Sequence, residues 1–150
     1  PNTQLDRYRL RWNDVKYVPG EIKVVAYDEN GKQVAEKTIR TAGQPAVLDM
    51  KEERSVIASD GEDLAYITLS MLDKDGNECP TANQSISFTV EGAGQFKAAC
   101  NGDATFTQPR MKLFSGKLVL IVQSNGKKGD IIVKAKADNG IENKLVLKAQ

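Results

Sequence analysis

The sequence predicts an all-β fold: an immunoglobulin-like antiparallel β-sandwich preceded by a partial β-sheet module. Three observations predict it. Apolar and polar residues alternate with period 2 through most of the chain, the pattern of strands with one face on a core and the other in water. Asx-Gly turn signals recur at short intervals: Asn30-Gly31, Asp60-Gly61, Asp75-Gly76, Asn101-Gly102, Asn125-Gly126 and Asn139-Gly140. No segment carries a 3.6 period. The best helical candidate, residues 49–54, is a short charged run that reads as a strand end or turn.

The elements follow in order. Residues 7–12 set Tyr8, Leu10 and Trp12 on one face and Arg7, Arg9 and Arg11 on the other. Residues 21–27 gather Ile22, Val24 and Ala26, and a turn at 28–31 returns the chain through 34–40 as a hairpin. Residues 41–45, with Gly43 and Pro45, read as a boundary, because Pro cannot donate to a ladder. Short strands are expected at 46–50 and 55–58. Ala65, Ile67, Leu69 and Met71 then share a face opposite Tyr66, Thr68 and Ser70. Ile86, Phe88 and Val90 do the same opposite Ser85, Ser87 and Thr89, and a strand at 95–99 follows. The continuous run 118–123 reads as a central strand. Ile131, Val133, Ala135 and Ala137 alternate with Lys134 and Lys136, and a two-residue hairpin at Asn139-Gly140 leads to a last strand carrying Leu145 and Leu147.

Composition excludes several function classes. With 150 residues the chain is shorter than the about 250 of a TIM barrel. It has 21 basic and 20 acidic residues, so the net charge of +1 points away from a general nucleic-acid or anionic-membrane partner. It has no histidine, which removes Ser-His-Asp and Cys-His mechanisms and His-ligated metal sites. Its longest apolar run, 118–122, is far below the ~20 residues of a membrane-spanning helix. The polar start at Pro1, without Met or a signal-peptide core, reads as a cut end of a longer chain.

Two passages resemble one known family. The first is Tyr17-Val18-Pro19-Gly20-Glu21-Ile22-Lys23-Val24-Val25-Ala26-Tyr27, continuing through Gly31 to Thr38-Ile39-Arg40-Thr41-Ala42-Gly43. It resembles the signature that follows the barrel in bacterial family 2 glycoside hydrolases of the β-galactosidase type. The second runs from Ala58-Ser59-Asp60-Gly61 through Asp73-Lys74-Asp75-Gly76-Asn77-Glu78-Cys79-Pro80 and Phe88-Thr89-Val90-Glu91-Gly92 to Phe114-Ser115-Gly116-Lys117. It is similar to the C-terminal Ig-like domain of those enzymes, itself similar to Ig-like modules of bacterial adhesins.

The resemblance implies a division into residues 1–43, the C-terminal part of a truncated β-sandwich module, and residues 44–150, an Ig-like sandwich of seven or eight strands. It implies a non-catalytic accessory role, scaffolding or interface, in a parent enzyme that hydrolyses β-galactosides or related glycans. The parent would be periplasmic, cell-surface or secreted. The family's catalytic glutamates lie on the barrel, so no residue here is assigned a catalytic, cofactor-binding or metal-ligating role. The expected partner is the rest of the parent hydrolase, its barrel or a neighbouring subunit. A partial sheet leaves an edge open, so self-pairing through residues 1–43 is also expected. The alternatives are a carbohydrate-binding module and an adhesin-type Ig-like module.

Several constellations need weighing. Glu52-Glu53, Glu62-Asp63 and Asp73-Asp75 are local acid clusters, but none lies in an apolar run that would raise a pKa, so they read as solvated surface. Asp73-x-Asp75-x-Asn77 begins like a calcium loop. An EF-hand needs Gly at the sixth position and Glu at the twelfth, where Glu78 and Gln84 stand, so an Asp-Gly β-turn is expected. A looser calcium site between this loop and Asp103 is the lesser reading. Arg7, Arg9 and Arg11 read as a solvated face, or one meeting the rest of the enzyme. Tyr8, Trp12, Tyr17 and Tyr27 read as packing aromatics rather than a sugar platform. Strand counting returns Cys79 and Cys100 to the same end of the sandwich, where they are expected to lie close but unpaired.

Overall fold

The computed structural model describes residues 13–103 and 105–150. The expected strand at 7–12, with its arginine stripe, Tyr8 and Trp12, lies outside the described residues. The chain divides after Thr41 into two compact units.

In the first unit, β1 (Glu21–Tyr27) and β2 (Gln33–Arg40) form an antiparallel ribbon with Ile22 opposite Ile39 and Ala26 opposite Ala35. Lys23–Glu36 and Arg40–Glu21 ion pairs at 2.9 and 2.8 Å lie across it. At its open end the Thr41 hydroxyl accepts the Gly20 N–H at 3.0 Å, and the Thr41 N–H donates to the Gly20 carbonyl at 2.8 Å. Ile22, Val24 and Ile39 share one face and all three are exposed. Two strands alone are marginally stable at best, and this ribbon leaves these three aliphatic side chains exposed.

The second unit is the Ig-like antiparallel sandwich. Its strands are β3 (Val47–Glu52), β4 (Val56–Ile57), β5 (Leu64–Leu72), β6 (Ser85–Gly92), β7 (Gly94–Cys100), β8 (Thr105–Phe106), β9 (Arg110–Lys112), β10 (Lys117–Ser124), β11 (Gly129–Ala137) and β12 (Glu142–Ala149). Sheet I has the order β3-β5-β10-β7-β8, and sheet II the order β4-β12-β11-β6-β9. All pairings are antiparallel except β4 with β12. No helix occurs among the described residues. The ten strands exceed the seven or eight expected, because β8 and β9 are two and three residues long and too short to show a period.

Alternation builds the core. Ile67, Leu69, Leu118, Leu120 and Val122 of sheet I face Ile86, Ile131, Val133 and Leu147 of sheet II, all at most 2 % exposed. The chain passes from sheet II to sheet I at Gly92-Ala93-Gly94. There Gly92 takes φ +86°, and the Ala93 N–H donates to the Asp130 carbonyl at 2.9 Å.

Three hairpin loops repeat one design. In 28–32, 73–77 and 137–141 a type I-like turn is followed by a left-handed glycine: Gly31, Gly76 or Gly140. The Asn139-Gly140 loop therefore holds three residues, not the expected two. Gly140 sits at the bulge position rather than inside the turn.

Candidate functional site

Three carboxylates in or beside the acidic clusters, those of Asp60, Asp63 and Asp73, are held in structural bonds. Asp63 accepts Arg54 Nη2 at 2.8 Å, the Ala58 N–H at 2.8 Å and its neighbour Leu64's N–H at 2.9 Å. The Arg54 hydrogen bond, then the Ala58 N–H, hold its carboxyl below the usual carboxylate range. Asp60 accepts the Glu62 and Asp63 N–H groups at 2.8 Å each, and these also lower its pKa. A general acid at neutral pH needs the opposite shift, so these geometries fix loops rather than move protons.

Asp73 is the most constrained carboxylate described, at 2 % exposed. Its Oδ2 accepts the Gly43 N–H at 2.8 Å and Asn77 Nδ2 at 3.0 Å. Its Oδ1 accepts the N–H groups of Asp75 and Asn77 at 2.9 and 2.8 Å. The Gly43 N–H first, then the Asn77 side chain, lower its pKa to about 2. The calcium-like spelling is thus an Asx-anchored turn whose carboxylate points at donors, and it clamps Gly43, the residue at the expected boundary. Among the described residues no three Cys, Asp or Glu side chains gather as a metal site.

The clamp has a pH consequence. A depressed folded-state pKa adds stability above the ordinary value of 3.8, and that stability is lost as pH falls from there through about 2. Asp73→Asn keeps the shape but turns an NH2 toward N–H donors whichever way it flips. We expect its Tm to fall by several degrees at neutral pH. We also expect a shallower loss of Tm between pH 4 and 2 than in the parent sequence, with Asp60 and Asp63 accounting for the remainder. Thermal melts at stepped pH read both effects.

Both cysteines are free. Cys79 is buried in the core cluster, its thiol 3.7 Å from the Gly43 carbonyl, and burial raises its pKa. Cys100 pairs in register with Val119 near the same end of sheet I, but it follows the fully buried Ala99 and so faces outward. Cys79 belongs to the core cluster, Cys100 to the outward side of β7, and no disulfide joins them. A thiol reagent is expected to label Cys100 in the native chain and Cys79 only on denaturation, and rapid labelling of both would contradict this placement.

Two outer faces remain. On sheet II the outward side chains include Ser87 and Thr89 on β6, Ile132, Lys134 and Lys136 on β11, and Lys144 and Val146 on β12. Glu91 and Glu142 pair with Lys134 and Lys136 at 2.8 and 3.2 Å, as on a solvated surface. On sheet I a shallow hollow is lined by Asp49, Lys51, Glu53, Tyr66, Thr68 and Lys117, with Val119 beside them. Lys117 is paired with Glu78 at 2.6 Å. Of the expected aromatics, Tyr17 and Tyr27 are exposed on the first unit, and the Tyr17 hydroxyl lies 3.3 Å from the Thr41 hydroxyl. Tyr66 stands on the outward face that the alternation of β5 predicts. What marks that face is the run 118–122 on the neighbouring strand, apolar on both faces.

Residues 48–146 of this sandwich match the sequence profile of the glycoside hydrolase family 2 C-terminal domain 5, and residues 1–35 match a domain of unknown function. The chain belongs to glycoside hydrolase family 2. It is 41 % identical over 129 residues to the β-galactosidase BoGH2A of Bacteroides ovatus, across 83 % of this chain and 15 % of that protein. It is 32 % identical over 108 residues to a β-galactosidase of Thermoanaerobacter pseudethanolicus, across 72 % of this chain and 13 % of that one. A crystal structure of a family 2 glycosyl hydrolase from Bacteroides cellulosilyticus superposes over 99 % of this chain and 20 % of its own, with a TM-score of 0.90 at 29 % identity. The family 2 segment described here thus spans about a fifth or less of these relatives, in which it is part of a larger protein.

Proposed function

We propose that this chain is a non-catalytic accessory region of a family 2 glycosidase, serving as scaffold and interface, and that the whole enzyme hydrolyses β-galactosides or related glycans. Residues 1–43 are the end of one β-module and residues 44–150 the Ig-like domain that follows it. The observation that carries this reading is the match to a small C-terminal share of proteins named as β-galactosidases. The best-anchored carboxylates, those of Asp60, Asp63 and Asp73, support it, since each is committed to loop hydrogen bonds.

The chain alone is expected to release no chromophore from aryl β-galactosides. Titration calorimetry with galactosides and β-glucans is expected to give no saturable heat. Turnover would overturn the non-catalytic assignment, and saturable heat would favour a carbohydrate-binding module in its place.

A further inference from the structure

We infer that the outer face of sheet I, centred on Tyr66, Val119 and Ile121, is the surface against which the rest of the parent glycosidase chain docks. This rests on the accessory reading above and names its contact face. The primary observation is the central strand β10. Its inward residues Leu118, Leu120 and Val122 fill the core at 0–2 % exposure, yet its outward residues Val119 and Ile121 are also aliphatic. A strand with one face in water alternates, whereas one covered on both faces reads as a continuous apolar run.

The register extends the apolar character sideways. Ile121 lies between Tyr66 on β5 and Ala98 on β7, and Val119 lies between Thr68 and Cys100. One apolar row, Tyr66-Ile121-Ala98, therefore crosses three strands, the row beside it is Thr68-Val119-Cys100, and Tyr66 stands 41 % exposed at the border. On β6, β11 and β12 of sheet II the outward apolar residues are one cross-strand pair, Ile132 and Val146, and along β11 Ile132 is flanked by Asp130 and Lys134, whereas β10 of sheet I carries Val119 and Ile121 in succession.

The rim gives the chemistry of the occupant. Asp49 and Glu53 lie beside the single Lys51 at the β3 edge, while Lys117 is already paired with Glu78. The fitting surface is apolar at its centre and basic where it meets β3. The occupant is supplied in cis, because the relatives carrying this segment are chains five or more times its length. A tether holds such a surface at an effective concentration in the millimolar range, so a modest face suffices. A glycan fits less well: the hollow offers one aromatic ring, and half of the band is aliphatic.

Cys100 sits in the band and reports on its cover. The test labels native protein with a thiol reagent and follows the Cys100 peptide by mass spectrometry, in this chain and in the parent enzyme. Labelling is expected to be at least an order of magnitude slower in the parent. Tyr66→Ala with Ile121→Ser in the parent should restore it, while Thr89→Ala on sheet II should not. Equal rates in chain and parent would overturn the docking face. So would protection of Cys100 in the isolated chain by galactosides or β-glucans, which would assign the face to sugar. A parent that cleaves no glycoside would refute the functional reading alone. A parent that cleaves glycosides with Cys100 fully reactive would refute the docking alone.

Discussion

Gly92→Ala is expected to be among the most damaging single-methyl changes in the sandwich. Gly92 sits at φ +86° where the chain leaves sheet II for sheet I. A left-handed backbone costs a non-glycine residue about 1–2 kcal/mol. The added β-carbon would also collide with the Asp130 carbonyl oxygen, the acceptor of the Ala93 N–H. Displacing that carbonyl puts a further ~1–3 kcal/mol at risk through the lost hydrogen bond. At about 4–8 °C per kcal/mol for a domain near this size, Tm should fall by about 8 °C or more. Gly94 shares the corner: a β-carbon there would lie 2.6 Å from Ile131 Cγ2, and Ile131 is fully buried with no room to turn. Thermal unfolding followed by circular dichroism reads the effect, and a Gly92→Ala protein melting within about 2 °C of the parent sequence would contradict it.

Leu120→Ala is the second large effect. Leu120 is fully buried on β10, between β5 and β7, and faces the opposing sheet. Truncating such a leucine costs about 2–5 kcal/mol, the spread reflecting how far the cavity collapses. That is a large share of the ~5–15 kcal/mol that holds a typical domain together. Ile121→Ala, one residue along, is expected to cost less than half as much in this chain, because its side chain is on the outer face. Denaturant titration of the two variants compares the faces of one strand directly. Equal losses would mean that β10 is buried symmetrically in the isolated chain.

Much of the fold was legible because one side-chain period dominates. The alternation of Ile22, Val24 and Ala26 located β1 at residues 21–27, and the runs on β5 and β11 were equally clear. β8 and β9 were not legible, since two or three residues cannot display a period. The hairpin at Asn139-Gly140 was recognised from composition. Its length was not, because Asn-Gly serves both a two-residue turn and a type I turn with a bulge glycine. Asp73 was read as part of a turn. Its hold on Gly43, 30 residues away, is a long-range hydrogen bond that no local pattern reports. The cysteines were placed at the right end by counting strands, while the face of Cys100 depends on the parity that makes Ala99 inward. The outer face of sheet I was written in the sequence as well. An apolar residue at every position from Leu118 to Val122 marks a strand wanted on both sides.

We propose that these 150 residues support a glycosidase without performing its chemistry. Deleting them from the parent enzyme tests it most directly, with kcat per folded molecule and Tm measured together on an aryl β-galactoside. The truncated enzyme is expected to melt earlier or assemble poorly, while the fraction that stays folded keeps kcat within a few-fold. A truncated enzyme that is fully folded, equally stable and inactive would contradict it, because the chemistry would then depend on a residue of this chain.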